Sequence, residues 1–87
     1  MTTLQTETEE ARPVAAQCDY THLNVVLQDG RVLRTPMWWY PRLNKATTFE
    51  RGQVEMSPLG VHWPAIDENI SVASILRGQQ APGARAP

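Results

Sequence analysis

The stretch Gly60-Val61-His62-Trp63-Pro64-Ala65-Ile66-Asp67-Glu68-Asn69-Ile70-Ser71-Val72 constrains the fold more than any other part of the chain. Val61-His62-Trp63 reads as a strand, with Val61 and Trp63 on one face and His62 on the other. Pro64 stops it, because proline cannot donate to a β-ladder. Ser71 is a good helix N-cap, and Ile70 before it can staple against Ile75. A short helix then runs Val72-Ala73-Ser74-Ile75-Leu76-Arg77 and ends at Gly78. This stretch also concentrates the polar chemistry: an imidazole, an indole, two carboxylates and an amide around a proline-fixed bend.

Upstream, Thr21-His22-Leu23-Asn24-Val25-Val26-Leu27-Gln28 alternates. Leu23, Val25 and Leu27 point one way, and His22, Asn24 and Gln28 the other, as in a half-buried strand. Asp29-Gly30 is a hairpin signal, and Arg31-Val32-Leu33-Arg34-Thr35 returns. A two-residue loop would pair Leu27 with Val32 and put Leu33 on the wet face. A three-residue loop, Gln28-Asp29-Gly30, pairs Val25 with Leu33 and keeps Leu33 with Leu23 and Val25. A one-residue slip reverses every side chain. The three-residue loop with a left-handed Gly30 is favoured, at the expense of an outward Val32.

Pro36 ends the return strand, and Met37-Trp38-Trp39-Tyr40 follows as an aromatic run. Pro41 suits the first turn of a helix predicted over 41–51 with Gly52 as its stop. On a helical wheel Leu43, Ala46 and Phe49 form an apolar stripe that Trp39 extends backwards. Wheel position makes Trp39 the core indole and leaves Trp38 partly exposed. Gln53-Val54-Glu55-Met56 is a short strand, and Ser57-Pro58-Leu59-Gly60 is turn chemistry.

The expected fold class is α+β: a small ββαββα-type single domain with antiparallel hairpins packed against a helix, over 18–78. Residues 1–17 read as a disordered N-terminal tail and 79–87, rich in Pro, Gly and Ala, as a disordered C-terminal tail. A core of about sixty residues gives only a few kcal/mol, so such a domain depends on its tryptophans and Phe49, or on dimerisation.

Charge argues against some functions. The net charge of −1 arises from an acidic N-terminal part and a near-neutral remainder. No basic block stands out, and electrostatic binding to nucleic acid needs a concentrated positive face. Only folding could gather Arg31, Arg34 and Arg42 into one. The single cysteine, Cys18, rules out an intramolecular disulfide or multi-cysteine zinc site. It has no helix N-terminus to lower its pKa, so an inert thiol is expected. No secretory leader pattern opens the chain and no run approaches a membrane span, so a cytoplasmic location and no membrane association are expected. No phosphate loop, nucleophile elbow or zinc-type spacing is present, and no cofactor is expected.

Asp29-Gly30-Arg31, Trp39-Tyr40-Pro41-Arg42-Leu43, Gly60-Val61-His62-Trp63-Pro64, Asp67-Glu68-Asn69-Ile70-Ser71-Val72 and Leu76-Arg77-Gly78 together resemble the domain-of-unknown-function 2442 family, over roughly residues 20–78. The resemblance implies a small bacterial or phage α+β domain with no established activity or cofactor. Members are often encoded beside other very small proteins, which implies an antitoxin-like or regulatory role. Some carry a helix-turn-helix, which this chain lacks, so that DNA-binding role does not carry over. Where the family often has a third acid, this chain has Asn69, which weakens any role that needs three carboxylates.

Three functions follow, in order. The first is a non-catalytic protein-interaction module, as a homodimer or as partner of a small neighbouring protein. Its binding candidates are Trp38, Tyr40, Arg42, His62, Asp67 and Glu68, with no residue assigned to catalysis or to a metal. Aromatic residues and arginine dominate interface hot spots, and Arg42 is expected to pair with Asp67 or Glu68 and hold the bend to the helix. The second is a small metal-dependent or acid/base enzyme centred on His62, Asp67 and Glu68, with His22 joining if its strand neighbours that of His62. The third is weak nucleic-acid binding through Arg31, Arg34 and Arg42.

Overall fold

A computed structural model describes residues 11–87. Two three-stranded antiparallel sheets enclose one core, so the α+β class is as expected, but with more strands than ββαββα. The first sheet has the order β1-β2-β3, from β1 (Pro13–Cys18), β2 (His22–Leu27) and β3 (Val32–Pro36). The second has the order β4-β5-β6, from β4 (Glu55–Met56), β5 (Gly60–Trp63) and β6 (Glu68–Ser71). Between the sheets come α1 (Pro41–Lys45) and α2 (Thr48–Arg51), and α3 (Val72–Arg77) follows β6.

The β2–β3 hairpin adopts the three-residue loop. Val25 pairs with Leu33 and Val26 with Val32. Gly30 has φ 94°, and its N–H donates to the Leu27 carbonyl at 2.9 Å. Leu23, Val25 and Leu27 are buried, and Val32 faces outward as the register requires.

The expected tail over 1–17 is corrected by β1. Pro13 pairs with Leu27 and Cys18 with Leu23, with a bulge between Pro13 and Ala15. Pro-Val-Ala-Ala-Gln-Cys has little strand character of its own; the paired edge of β2 makes it a strand. The turn into β2 is set by Asp19, whose Oδ1 accepts the backbone N–H of Thr21 at 2.9 Å and of His22 at 2.8 Å. Residues 1–10, the rest of that expected tail, lie outside the described residues.

The single helix expected over 41–51 is two. Ala46 and Thr47 are extended, and Thr47 forms a capping box with Glu50: Glu50 N donates to Thr47 Oγ1 at 3.1 Å, and Thr47 N to Glu50 Oε1 at 2.9 Å. The restart rotates everything after it, so Phe49 is 74% exposed rather than in the core. Arg51 ties the two helices together by donating to the Leu43 carbonyl at 3.1 Å and the Asn44 carbonyl at 2.8 Å.

The core consists of Leu23, Val25 and Leu27 from β2, Met37, Tyr40 and Leu43, and Val61, Trp63, Ile70 and Val72 from the second half. Trp63 is fully buried, and its indole N–H donates to the Arg51 carbonyl at 3.1 Å. Trp39 packs partly against this core, and Trp38 is half-buried, with its ring edge-on to Trp39 at 6.4 Å. The residues of the aromatic run that go fully inside are Met37 and Tyr40.

Gly60 lets β5 and β6 come together. A Cβ there would collide with the Ile70 carbonyl oxygen and lie 2.9 Å from Ser71 Cα. Ser71 caps α3 as expected, accepting from Ser74 N at 3.0 Å, and Gly78 ends it at φ 74°. The expected disordered tail over 79–87 is also corrected. Ala81 packs partly against the core, and its N–H donates to the Trp39 carbonyl at 3.0 Å. Among the described residues no helix is long and apolar enough to cross a membrane.

Candidate functional site

After β5 the chain turns at Pro64–Ile66 in a short 3-10 turn. Asp67 follows with φ 53°, a left-handed position that an Asp tolerates better than most residues. The turn reverses the chain into β6, where Trp63 pairs with Glu68 and His62 with Asn69. Paired residues share a face of the sheet, and successive ones alternate. Glu68 therefore shares the core-facing side with Trp63, while His62 and Asn69 lie on the other side. Glu68 is only 8% exposed, whereas Asp67 is exposed.

Arg42, in the first turn of α1, reaches this bend. Its Nη1 donates to the Asp67 carbonyl at 2.6 Å, and its Nε lies 3.8 Å from Glu68 Oε1. The expected tie between bend and helix is therefore present, made to a backbone oxygen first and to the acid at longer range. Burial raises the Glu68 pKa above its ordinary value; the Arg42 charge opposes the rise and the Asp67 charge adds to it. Tyr40 is 3% exposed, and its hydroxyl has no hydrogen-bond partner among the described residues. Burial pushes its pKa up to about 12; the neighbouring Thr35 side chain, near but outside hydrogen-bond geometry, opposes this, and the Glu68 charge reinforces the rise.

These groups line one side of an open groove of about 650 Å³. Tyr40, Pro41 and Arg42 form one flank, Asp67 to Ser71 run along β6, and Ser74 and Arg77 of α3 with residues 79–82 close the far side. Of the six binding candidates, the groove unites Tyr40, Arg42, Asp67 and Glu68. Trp38 and His62 are not part of it. His62 is half-buried, with Nδ1 3.0 Å from the Glu68 carbonyl oxygen. His22 is in the other sheet, 2.7 Å from Thr21 Oγ1, so the strands of the two histidines are not neighbours. Among the described residues, no three His, Cys, Asp or Glu side chains converge as metal ligands would.

The arginines considered for nucleic acid are each engaged with acidic groups. Arg31 Nε is 2.8 Å from Asp29 Oδ2 and Arg34 Nη1 is 2.8 Å from Asp19 Oδ2, while Arg42 serves the bend. Cys18 does have a cationic neighbour, Arg51, but burial outweighs it and pushes the thiol pKa up.

The family model for a protein of unknown function, DUF2442, matches residues 12–81. The chain belongs to the DUF2442 family. The match takes in β1 and residues 79–81, both outside the span over which the motifs show the resemblance. Among solved structures, this DUF2442 domain is similar to an uncharacterized protein from Chromobacterium violaceum solved by NMR, at a TM-score of 0.75 and 20% identity, covering 94% of this chain and 79% of that one. It is also similar to the crystal structure of a protein of unknown function from Rhodospirillum rubrum, at a TM-score of 0.71 and 23% identity, covering 84% of this chain and 93% of that one. At these identities the likeness establishes the shared fold. No curated protein matches the chain.

Sequence reading missed the groove's far side in this DUF2442 domain. Ser74 and Arg77 read as parts of a terminal helix, and 79–82 as a tail. The only local signal was the Gly78 stop, which turns the chain back without saying where it docks.

Proposed function

We propose that this DUF2442 domain is a non-catalytic interaction module that docks a segment of a partner protein in the groove between β6 and residues 79–82. The observation that carries this reading is the groove's composition. It unites four of the six binding candidates on an open surface along an edge strand, and extended segments commonly dock on such edges. Arg42 and Arg77 set against Asp67 and Glu68 supply charges of both signs, which favour specificity over raw affinity. The partner is a small neighbouring protein, in keeping with an antitoxin-like or regulatory role, or a second copy of this chain.

Co-expression with the product of the adjacent reading frame tests the proposal. The two are expected to elute together in size-exclusion chromatography, and Asn69→Trp, which crowds the groove from an exposed position, is expected to separate them. Light scattering of the chain alone tests self-association by the same variant. A lone monomer in both experiments, or an assembly indifferent to Asn69→Trp, refutes docking at this groove.

A further inference from the structure

β6 is the outer strand of its sheet, and the hydrogen bonds around it fix which backbone groups it leaves free. Bonded pairs alternate along an antiparallel ladder. Val72 N donates to the Leu59 carbonyl at 3.0 Å, which makes that a bonded pair in the register of Gly60 with Ser71. Stepping back by two, Ile70 bonds with Val61 and Glu68 with Trp63. Asn69 and Ser71 therefore turn their N–H and C=O away from β5. Three contacts agree with this parity. The carbonyl of Gly60, opposite Ser71, accepts from Ser57 N at 2.9 Å on the β4 side. The Ser71 carbonyl accepts from Ser74 Oγ at 2.7 Å, and the Asp67 carbonyl from Arg42 Nη1 at 2.6 Å. Asn69 N–H, Asn69 C=O and Ser71 N–H remain, without partners among the described residues, on the edge that lines the groove. The other strand edges are blunted in the usual ways. β1 opens on Pro13 and a bulge, β3 ends on Pro36 with Arg34 along it, and β4 has two residues. Asn69-Ile70-Ser71 carries no proline, bulge or charge.

We propose that an extended segment of the partner protein adds to β6 as the fourth strand of this sheet, bonded through the backbone of Asn69 and Ser71. The inference rests on the docking reading above and names what is recognised there: a main chain in β conformation with an apolar side chain opposite Ile70. Side chains of an added strand alternate between faces as those of β6 do. The one opposite Ile70 shares the core-facing side, where Tyr40 and Ala81 are apolar neighbours. The one opposite Asn69 shares the outer side and is polar. Arg42 ends the new ladder, because its guanidinium already holds the Asp67 carbonyl, the next acceptor along the edge. Arg42 and Arg77 balance Asp67 and Glu68, so the segment needs no net charge. Main-chain bonds supply affinity and the apolar side chain supplies choice of partner.

The test compares Asn69→Pro with Asn69→Ala in the full chain, titrated calorimetrically with the purified product of the adjacent reading frame. Proline removes an N–H that the β5–β6 ladder does not use, so the variant is expected to fold. It is expected to bind about tenfold more weakly or worse, since it loses an edge donor and its ring blocks the added strand. Asn69→Ala keeps both backbone groups and is expected to bind within about threefold of the parent. Amide hydrogen exchange followed by NMR reads the same bonds directly. In the free chain Asn69 and Ser71 are expected to exchange faster than Ile70, and in the complex to slow about tenfold or more. Should Asn69→Pro not fold, exchange in the parent complex decides alone. Unchanged exchange at Asn69 and Ser71 in the complex, or Asn69→Ala weakening binding as much as Asn69→Pro, overturns strand addition while docking in the groove stands. Self-association of the chain alone that Asn69→Pro abolishes overturns the partner segment in favour of a second copy. A parent chain that binds neither refutes strand addition together with the docking reading.

Discussion

Gly60→Ala is expected to unfold much of the population, and the reason can be worked from the β5–β6 contact. The new methyl would collide with the Ile70 carbonyl oxygen, 2.9 Å from Ser71 Cα and 3.1 Å from the Ile70 carbonyl carbon. All three are backbone atoms, so no rotamer change relieves the clash. The strands must separate, which weakens the ladder where Gly60 pairs with Ser71 and Val61 with Ile70. Overpacking costs about 1–3 kcal/mol and each strained ladder bond about 1 kcal/mol, so the total is about 2–4 kcal/mol. Ile70 and Val72, both core residues, move with β6 and add to it. A domain this small has about 3–5 kcal/mol in all. Urea unfolding followed by Trp fluorescence measures the effect. With a slope of about 1 kcal/mol/M, the midpoint should fall by about 2 M or more. Gly30→Ala is the comparison: nothing lies within 4 Å of a Cβ there, and its cost is only that of holding φ 94° with a side chain, about 1–2 kcal/mol. A Gly60→Ala midpoint within about 0.5 M of the parent, or a larger loss in Gly30→Ala, refutes the argument from strand approach.

Three further substitutions probe other parts of the structure. Tyr40→Phe removes a buried hydroxyl without a partner among the described residues, and should stabilise the domain by about 1–2 kcal/mol; calorimetry should show a higher Tm, and a lower one would mean the hydroxyl is satisfied. Thr47→Ala breaks the capping box with Glu50 and should cost about 1 kcal/mol in chemical denaturation; no change would mean that α2 is held by Arg51 alone. Glu68→Gln should stabilise the fold increasingly as pH rises. The folded-state pKa of Glu68 lies above the ordinary 4.5, so its contribution is fully present below 4.5 and is lost as pH climbs through the raised value. Stability curves of parent and variant should therefore diverge above pH 4.5 and converge below it; a constant gap would assign the effect to packing.

Local chemistry was legible wherever a few adjacent residues decide the outcome. The Gln28-Asp29-Gly30 loop follows from the single register that keeps Leu33 with Leu23 and Val25. Val61 and Trp63 face the core, with His62 opposite, because strand side chains alternate. Ser71 and Gly78 bound α3 because both caps act within one turn. Apolar spacing misled over 41–51, where Leu43, Ala46 and Phe49 make a continuous stripe. The competing signal, Thr47 three residues before Glu50, was also in the sequence, and it won because a capping box satisfies two backbone donors where the apolar stripe offers Phe49 little to pack on.

The sequence alone determined the α+β class, the faces of its central strands and the caps of α3. Those depend on periodicity and on residues that meet through one turn. Only the tertiary structure decided that Pro13–Cys18 is a strand, that Glu68–Ser71 pairs with β5, and that residues 79–81 return to Trp39. Each needs a partner distant in sequence or a free edge that exists only once the core has formed. The same holds for the candidate site. Asp67 and Glu68 are adjacent in the chain, yet the left-handed turn at Asp67 leaves one acid exposed and places the other against the core, on the opposite side of the sheet from His62.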